Sequence, residues 1–176
     1  MLLVRMRLTP NAISWFGFVL ALVAAALIAT GHLFAGGILV LVAGFFDILD
    51  GALARRLKKT TPFGAVLDST LDRLSEAVLL LAILLAFGGS ALIALLVFLA
   101  LLCSLLVSYV RARAEGAGLE CGVGIFTRAE RVVVLVLGLL LSGIAYALII
   151  ALAIIVVFSF VTFVQRLVYV WRQTRK

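Results

Sequence analysis

Charged residues are scarce in this chain and are missing altogether from three long segments. Only 13% of the 176 residues are Asp, Glu, Lys or Arg, whereas 66% are hydrophobic. An ordinary soluble domain is about a quarter charged and about half apolar, so the composition excludes that class and indicates an integral membrane protein. The uncharged segments cover residues 8–46, 77–110 and 132–165. Each is long enough for two membrane-spanning helices of about 20 residues joined by a turn.

Histidine and cysteine are also rare, which restricts the metal chemistry open to the chain. There is one histidine, His32, and there are two cysteines, Cys103 and Cys121. Cys103 falls within a predicted helix and Cys121 in a predicted cytoplasmic loop, so a disulfide is not expected. Zinc and copper sites usually need histidine or cysteine ligands. Any metal here is therefore expected to be Mg²⁺, Mn²⁺ or Ca²⁺ with oxygen ligands.

Glycine and small polar residues near the middle of each uncharged segment mark the turns. The predicted membrane-spanning helices cover roughly residues 11–30, 34–56, 63–87, 90–114, 127–142 and 146–170. The predicted fold class is thus an all-α integral membrane protein with six transmembrane helices. Residues 1–176 are expected to form a single transmembrane domain.

The lysines and arginines cluster at one end of these predicted helices, while the opposite turns carry no formal charge. The positive-inside rule then places both termini in the cytoplasm and predicts a multi-pass protein of the cell membrane. The net charge of +7 forms a rim suited to membrane lipids or phosphorylated substrates. Nucleic acid is not expected as a partner, because there is no soluble basic module. Arg166 and Arg172 are interpreted as part of the rim, although Arg166 lies where the last helix could add to a pocket.

Four aspartates interrupt the apolar sequence at positions 47, 50, 68 and 72. Burying an ionised carboxylate in hydrocarbon costs several kcal/mol unless it is paired or bound to metal. Asp47 and Asp50 are three residues apart, and Asp68 and Asp72 are four apart, so each pair shares one helix face. Two antiparallel helices rising about 1.5 Å per residue would bring all four carboxylates to a similar depth. Two divalent ions bound between them are the simplest way to balance their charge.

Small residues surround the aspartates and allow a ligand to approach the backbone closely. They include Gly51, Ala54 and Gly64, for which close helix packing in the membrane is the alternative interpretation. A two-metal carboxylate site suits a pyrophosphate beside a hydroxyl nucleophile. Neighbouring arginines and lysines suit a second, phosphorylated substrate. A site within the membrane that opens to the cytoplasm therefore indicates phosphoryl transfer that makes a phospholipid.

The aspartates belong to a longer pattern, Asp47-x2-Asp50-Gly51-x2-Ala54-Arg55-x8-Gly64-x3-Asp68-x3-Asp72. It resembles the signature of the CDP-alcohol phosphatidyltransferases at every specified position, and the resemblance extends over essentially the whole chain. The resemblance implies that Asp47, Asp50 and Asp68 hold two Mg²⁺ ions, with Mn²⁺ also possible, and that Asp72 completes the second site. It further implies that Asp72 is the general base for the attacking hydroxyl and that CMP is displaced.

The same resemblance implies a set of contacts to a CDP-lipid, either CDP-diacylglycerol or CDP-archaeol. Residues 8–14, Leu-Thr-Pro-Asn-Ala-Ile-Ser, are similar to the family's opening of its first helix near the nucleotide. A simple helix cap at Thr9 and Pro10 is the alternative for this segment. The expected CDP-lipid contacts are Asn11, Ser14, Gly51, Ala54, Arg55, Thr61 and Gly64.

Two basic segments, residues 109–115 (Tyr-Val-Arg-Ala-Arg-Ala-Glu) and 128–131 (Arg-Ala-Glu-Arg), are similar to the prokaryotic phosphatidylinositol-phosphate synthases within this family. The resemblance implies that Arg111, Arg128 and Arg131 bind the phosphate of inositol 1-phosphate. Arg111 stands where many relatives have Lys, and Ala129 where they often have Pro. Glycerol 3-phosphate would need the same phosphate-binding arginines and is the alternative acceptor. The family resemblance also implies a homodimer.

Two other function classes fit parts of the sequence. An intramembrane cation carrier would also use acidic residues, but it should show a polar path across the bilayer and often an internal repeat. Neither is visible. A non-catalytic membrane assembly partner would have no reason to keep four metal-type carboxylates. For the arginines, a rim that binds lipid phosphates is the alternative role.

Overall fold

A computed structural model of the chain describes residues 10–57 and 61–175, with the side chains of residues 10 and 46–57 left out. Within these ranges the helices are joined by turns and loops, and there is no β-strand. The helices are α1 (Pro10–Ala29), α2 (Leu33–Leu57), α3 (Pro62–Ala86), α4 (Ala91–Gly116), α5 (Arg128–Leu140) and α6 (Ala147–Thr174). The all-α prediction is confirmed, and the helix bounds lie within four residues of the predicted ones.

Three of the described helical segments are long and apolar enough to cross a membrane: Asn11–Ala29, Ala91–Gly116 and Ala147–Thr174. The described part of α2 contributes a shorter apolar segment, Leu33–Phe45. Helix α5 has 13 residues and is therefore only about 20 Å long, shorter than the hydrocarbon core of a bilayer. Large apolar side chains are exposed on the described helices. Such surfaces are unfavourable in water and are suited to contact with lipid.

The contacts of the chain divide it into two units, residues 1–86 and 87–176. In the first unit α1 packs against both α2 and α3. Ala24 and Ile28 on α1 are fully buried. A Cβ atom on Gly36 of α2 would come within 2.5 Å of Ile28 Cγ1, so the glycine allows the two helices to approach closely. This is the usual role of small residues between membrane helices.

In the second unit α4 and α5 each pack against α6. The interior is lined by small and aliphatic residues such as Ala100 of α4, Leu139 of α5 and Leu152 of α6. Gly138 lies where α5 meets α6, and a Cβ atom there would come within 2.5 Å of Ala151 Cβ. The glycine therefore sets the separation of these two helices.

The Gly138→Ala substitution is expected to destabilise the protein by about 1–3 kcal/mol, because its added methyl group overpacks this contact. The higher helix propensity of Ala offsets about 1 kcal/mol at most. The measurement is the melting temperature of the detergent-solubilised protein. Gly89→Ala is the control, since nothing lies within 4 Å of its Cβ position. Equal melting temperatures for the two variants would contradict the tight packing of α5 on α6.

Candidate functional site

The start of α3 lies against the start of α1. Thr61 Oγ1 accepts a hydrogen bond from the Gly64 amide at 3.0 Å, as expected for a residue that caps a helix beginning at Pro62. A Cβ atom on Gly64 would lie 3.0 Å from Thr61 Oγ1 and 3.1 Å from Asn11 Oδ1. Asn11 of α1 is thus packed closely against the first turn of α3, and a side chain at position 64 would require Asn11 and Thr61 to shift.

One turn further along both helices, Ser14 Oγ donates a hydrogen bond to Asp68 Oδ1 at 3.2 Å. Asn11 and Ser14 are three residues apart and share a face of α1, and Thr61, Gly64 and Asp68 follow one face of α3. The structure therefore brings together five of the predicted site residues from two separate segments of the sequence. We call this group the α1–α3 site.

Asp72 lies one turn beyond Asp68 on α3 and is half-buried. Arg73 donates to the Ser69 carbonyl oxygen of its own helix, in keeping with its position off the Asp68 and Asp72 face. The predicted residues Asp47, Asp50, Gly51, Ala54 and Arg55 belong to α2, and their side chains lie outside the described residues.

The metal prediction depends on carboxylates of both α2 and α3. In the described part of the chain, no three His, Cys, Asp or Glu side chains form a group that could hold a metal ion. Asp68 and Asp72 supply two carboxylates on one helix face, and a carboxylate retains acceptor sites beyond the single bond from Ser14. Oxygen donors of this kind fit Mg²⁺ or Mn²⁺. The described half of the predicted set is thus compatible with such an ion.

The arginines predicted to bind the acceptor lie at both ends of the connection between α4 and α5. Arg111 is 53% exposed and pairs with Glu115 on the next turn of α4 at 2.8 Å. Arg128 is the first residue of α5, and Arg131 is only 2% exposed. Arg128 and Arg131 are three residues apart, so they lie close together on the first turn of α5.

A capping box starts α5. Glu130 Oε2 accepts hydrogen bonds from the Thr127 amide at 2.7 Å and from Thr127 Oγ1 at 2.5 Å, which fixes the first turn. Two arginines at a helix N-terminus are unfavourable by themselves, because the helix dipole is positive there. A bound anion would be stabilised by the arginines and by the dipole together. The start of α5 is therefore well suited to a phosphate group.

Arg166 on α6 was not among the predicted site residues, yet it is 4% exposed and occupies the interior of the second unit. Its Nη1 donates to the Val107 carbonyl oxygen at 2.6 Å, and its Nε donates to the Val123 carbonyl oxygen at 2.8 Å. The available sequence signal was a cation more than one turn from the end of a largely apolar helix, which indicates an interior position more than a rim position.

A groove of about 650 Å³ runs along α6 beside residues 123–125, with mostly apolar walls. Its polar lining residues are Gln165, Tyr169 and Arg172. Arg111, Arg128 and Arg131, which are predicted to bind the acceptor, are not among the residues that line this groove.

Comparison with known proteins agrees with the predicted family. The family model for CDP-alcohol phosphatidyltransferases matches residues 7–167, which span both units. The archaetidylinositol phosphate synthase of Methanothermobacter thermautotrophicus is 43% identical over 97% of this chain and 87% of its own length. The phosphatidylinositol phosphate synthase of Mycobacteroides abscessus is 38% identical over 94% and 78% of the two chains.

Solved structures agree as well. The phosphatidylinositol phosphate synthase of Mycobacterium tuberculosis with CDP-DAG bound has a TM-score of 0.86 and 36% identity, covering 96% of this chain and 89% of that one. The same enzyme in complex with manganese and citrate has a TM-score of 0.87 and 35% identity, covering 96% and 85%. With relatives this similar over nearly its full length, the chain belongs to the CDP-alcohol phosphatidyltransferase family and is a transferase.

Proposed function

We propose that this protein transfers a phosphatidyl or archaetidyl group from a CDP-lipid to inositol 1-phosphate and releases CMP. The observation that carries the donor half is the α1–α3 site, where Ser14 bonds Asp68 beside Asn11 and Gly64. The names of the relatives, which are inositol phosphate lipid synthases from archaea and bacteria, support the acceptor. Glycerol 3-phosphate is the alternative acceptor.

The CDP group is proposed to lie across the first turns of α1 and α3. Asn11, Ser14 and Thr61 offer an amide and two hydroxyls to its polar atoms, and Gly64, which has no side chain, lets Asn11 and Thr61 lie close together. Asp68 and Asp72 lie on the same face of α3, one and two turns further on. The residues proposed to complete this half from α2 are Gly51, Ala54 and Arg55.

Asp47, Asp50, Asp68 and Asp72 are proposed to hold two Mg²⁺ ions, for which Mn²⁺ could substitute. The manganese complex of the M. tuberculosis relative supports a divalent ion. Bound ions would supply charge stabilisation at the pyrophosphate. Asp72 is proposed to take the proton of the attacking hydroxyl. The hydroxyl oxygen then bonds to the phosphorus that carries the lipid alcohol, the bond from this phosphorus to the oxygen of CMP breaks, and CMP leaves with that electron pair.

Arg111, Arg128 and Arg131 are proposed to bind the phosphate of the acceptor. Arg128 and Arg131 are already placed on one turn at the positive end of α5. The Arg111–Glu115 pair is half-exposed, and such a pair contributes about 1 kcal/mol or less. Arg111 can therefore leave Glu115 and bind the phosphate of the acceptor at little cost in free energy.

The membrane arrangement is proposed as six spans with both termini and the active site on the cytoplasmic side of the cell membrane. The three long apolar helices and the uncharged outer turns support it. Helix α5 is proposed to span together with its flanking residues. A homodimer is proposed on the family resemblance.

The direct test is CMP release by the purified protein with CDP-diacylglycerol, Mg²⁺ and either inositol 1-phosphate or glycerol 3-phosphate. We expect CMP with inositol 1-phosphate. CMP release only with glycerol 3-phosphate would overturn the proposal that inositol 1-phosphate is the acceptor, and would leave the proposed CDP-lipid donor standing. Absence of CMP with either acceptor, with CDP-archaeol also tried as donor, would overturn the proposed reaction.

The Gly64→Ala substitution tests the α1–α3 site. Its methyl group would lie 3.0–3.1 Å from Thr61 Oγ1 and Asn11 Oδ1, so both side chains must shift by a few tenths of an ångström. We expect the KM for the CDP-lipid to rise about three- to tenfold, since overpacking of this size costs about 1 kcal/mol or more, with an unchanged acceptor KM. Steady-state kinetics measures both KM values, with Gly89→Ala as the control. A normal KM for the CDP-lipid would exclude these residues from donor binding.

A further inference from the structure

The connection between α4 and α5, residues 117–127, is held by side chains of α6. We call it the α4–α5 loop. It has no helix or strand of its own, so its backbone groups need hydrogen-bond partners other than a regular helix or strand. Four side-chain bonds from α6 supply them: Gln173 Nε2 to Glu120 O at 2.7 Å, Arg166 Nε to Val123 O at 2.8 Å, Ile125 N to Gln165 Oε1 at 3.4 Å and Phe126 N to Thr162 Oγ1 at 3.1 Å.

The loop backbone lies directly on α6 where these bonds form. Gly124 has φ +138°, and a Cβ atom on it would come within 2.7 Å of Thr162 Cγ2. Thr162 is 0% exposed. Cys121 is 1% exposed and belongs to a cluster with Val110 and Ala114 of α4. Polar and apolar contacts therefore hold the loop along its length, and the arrangement of its backbone depends on α6.

Thr162 acts at the end of the loop that leads into α5. Its hydroxyl oxygen accepts a hydrogen bond from the Phe126 amide. The centroid of the Phe126 ring lies 5.5 Å from that of the Phe158 ring. The next residue, Thr127, is the N-cap of α5. The hydroxyl of Thr162 thus holds the backbone at Phe126, immediately before the helix turn that carries Arg128 and Arg131.

We propose that Thr162 is a positioning residue for the acceptor: through the Phe126 amide it sets the start of α5, and thereby the places of Arg128 and Arg131. Gln173 and Arg166 hold the earlier part of the same loop. This inference rests on the proposed function for its effect on catalysis. The anchoring of the loop can be measured independently of any reaction.

The kinetic test compares Thr162→Val, which keeps the shape of the side chain and removes the acceptor oxygen, with Thr162→Ser, which keeps the oxygen. For Thr162→Val we expect about a five- to tenfold higher acceptor KM, as for loss of one buried hydrogen bond, and a CDP-lipid KM within twofold of wild type. Thr162→Ser should restore the acceptor KM. Thr174→Val, at the exposed end of α6, is the matched control and should behave as wild type.

The structural test uses Cys121 as a reporter in a Cys103→Ala background. Cys121 belongs to the loop and is 1% exposed where it packs against Val110 and Ala114 of α4, so its maleimide labelling rate follows the fraction of molecules in which the loop has detached. Thr162→Val should label about five- to tenfold faster than the parent, and Thr162→Ser at the parent's rate. If Thr162→Val does not fold, Gln173→Leu removes the bond to Glu120 and should give a two- to threefold change in both measurements.

The outcomes separate the two proposals. If the parent protein releases no CMP, the proposed function fails, and the labelling rates still decide whether Thr162 anchors the loop. If the parent is active and Thr162→Val has an unchanged acceptor KM, the positioning role is overturned. Equal rises in the KM values of both substrates would also overturn it, because they indicate a general loss of structure.

Discussion

The Asp72→Asn variant is expected to bind the CDP-lipid and to lose turnover by about 10³-fold or more. An amide matches the carboxylate in size but cannot take the proton of the attacking hydroxyl, and general base catalysis contributes about 10²–10⁴-fold. The substitution also removes one negative charge from the proposed metal site. Asp72 is half-buried one turn beyond Asp68 on α3, so the substitution lies next to the α1–α3 site.

Two measurements are needed for this prediction. CMP release gives kcat, and equilibrium binding of radiolabelled CDP-diacylglycerol shows whether the donor site is intact. Glu120→Gln is a matched loss of one carboxylate on an exposed side chain, and its kcat should equal that of the wild type. Normal turnover by Asp72→Asn would exclude Asp72 as the base. Lost turnover together with lost donor binding would assign it a binding role alone.

The Arg128→Ala variant is expected to raise the acceptor KM by about 10- to 100-fold and to change the CDP-lipid KM by less than threefold. A hydrogen bond to a charged group contributes about 1.5–3 kcal/mol, which corresponds to this range. The capping box of Thr127 and Glu130 does not use the Arg128 side chain, so α5 should still form. Arg128→Lys should recover part of the affinity, because Lys keeps the charge but not the planar fork.

The matched control for Arg128 is Arg175→Ala. The Arg175 guanidinium lies 4.2 Å from the centroid of the Trp171 ring at the end of α6. It belongs to the basic rim and to none of the proposed sites, so both KM values should stay unchanged. Equal effects of Arg128→Ala on both substrates would instead support the alternative in which these arginines form a rim that binds lipid phosphates.

Part of the α1–α3 site was predictable from the sequence. Asp68 and Asp72 are four residues apart, and helical periodicity alone places them on one face. The family resemblance implied that Asn11, Ser14 and Gly64 contact one CDP-lipid, which stays a prediction; the structure shows that Ser14 bonds Asp68 and that Asn11 lies against Gly64. The convergence of all four aspartates stays a prediction, because the side chains of Asp47 and Asp50 lie outside the described residues.

The role of α6 was not predictable in the same way. Arg166 and Thr162 are separated from the α4–α5 loop by about forty residues of sequence, and their partners are backbone atoms, which carry no residue-specific signal. Arg131 was predicted to be a rim or phosphate-binding arginine, and its nearly complete burial depends on tertiary packing. The sequence around Gly138 likewise gave no indication of its contact with Ala151, because that contact depends on how α5 packs against α6.

The amino-acid sequence was enough to predict the membrane character, the six helices of the described residues, the face shared by Asp68 and Asp72, and the family. These depend on hydropathy, helical periodicity and spacing, which are properties of neighbouring residues. The folded structure was needed to show that Ser14 bonds Asp68, that Arg166 and Thr162 hold the α4–α5 loop, and that Arg131 is buried. Those contacts join residues far apart in the chain, and they exist only because particular helices pack together.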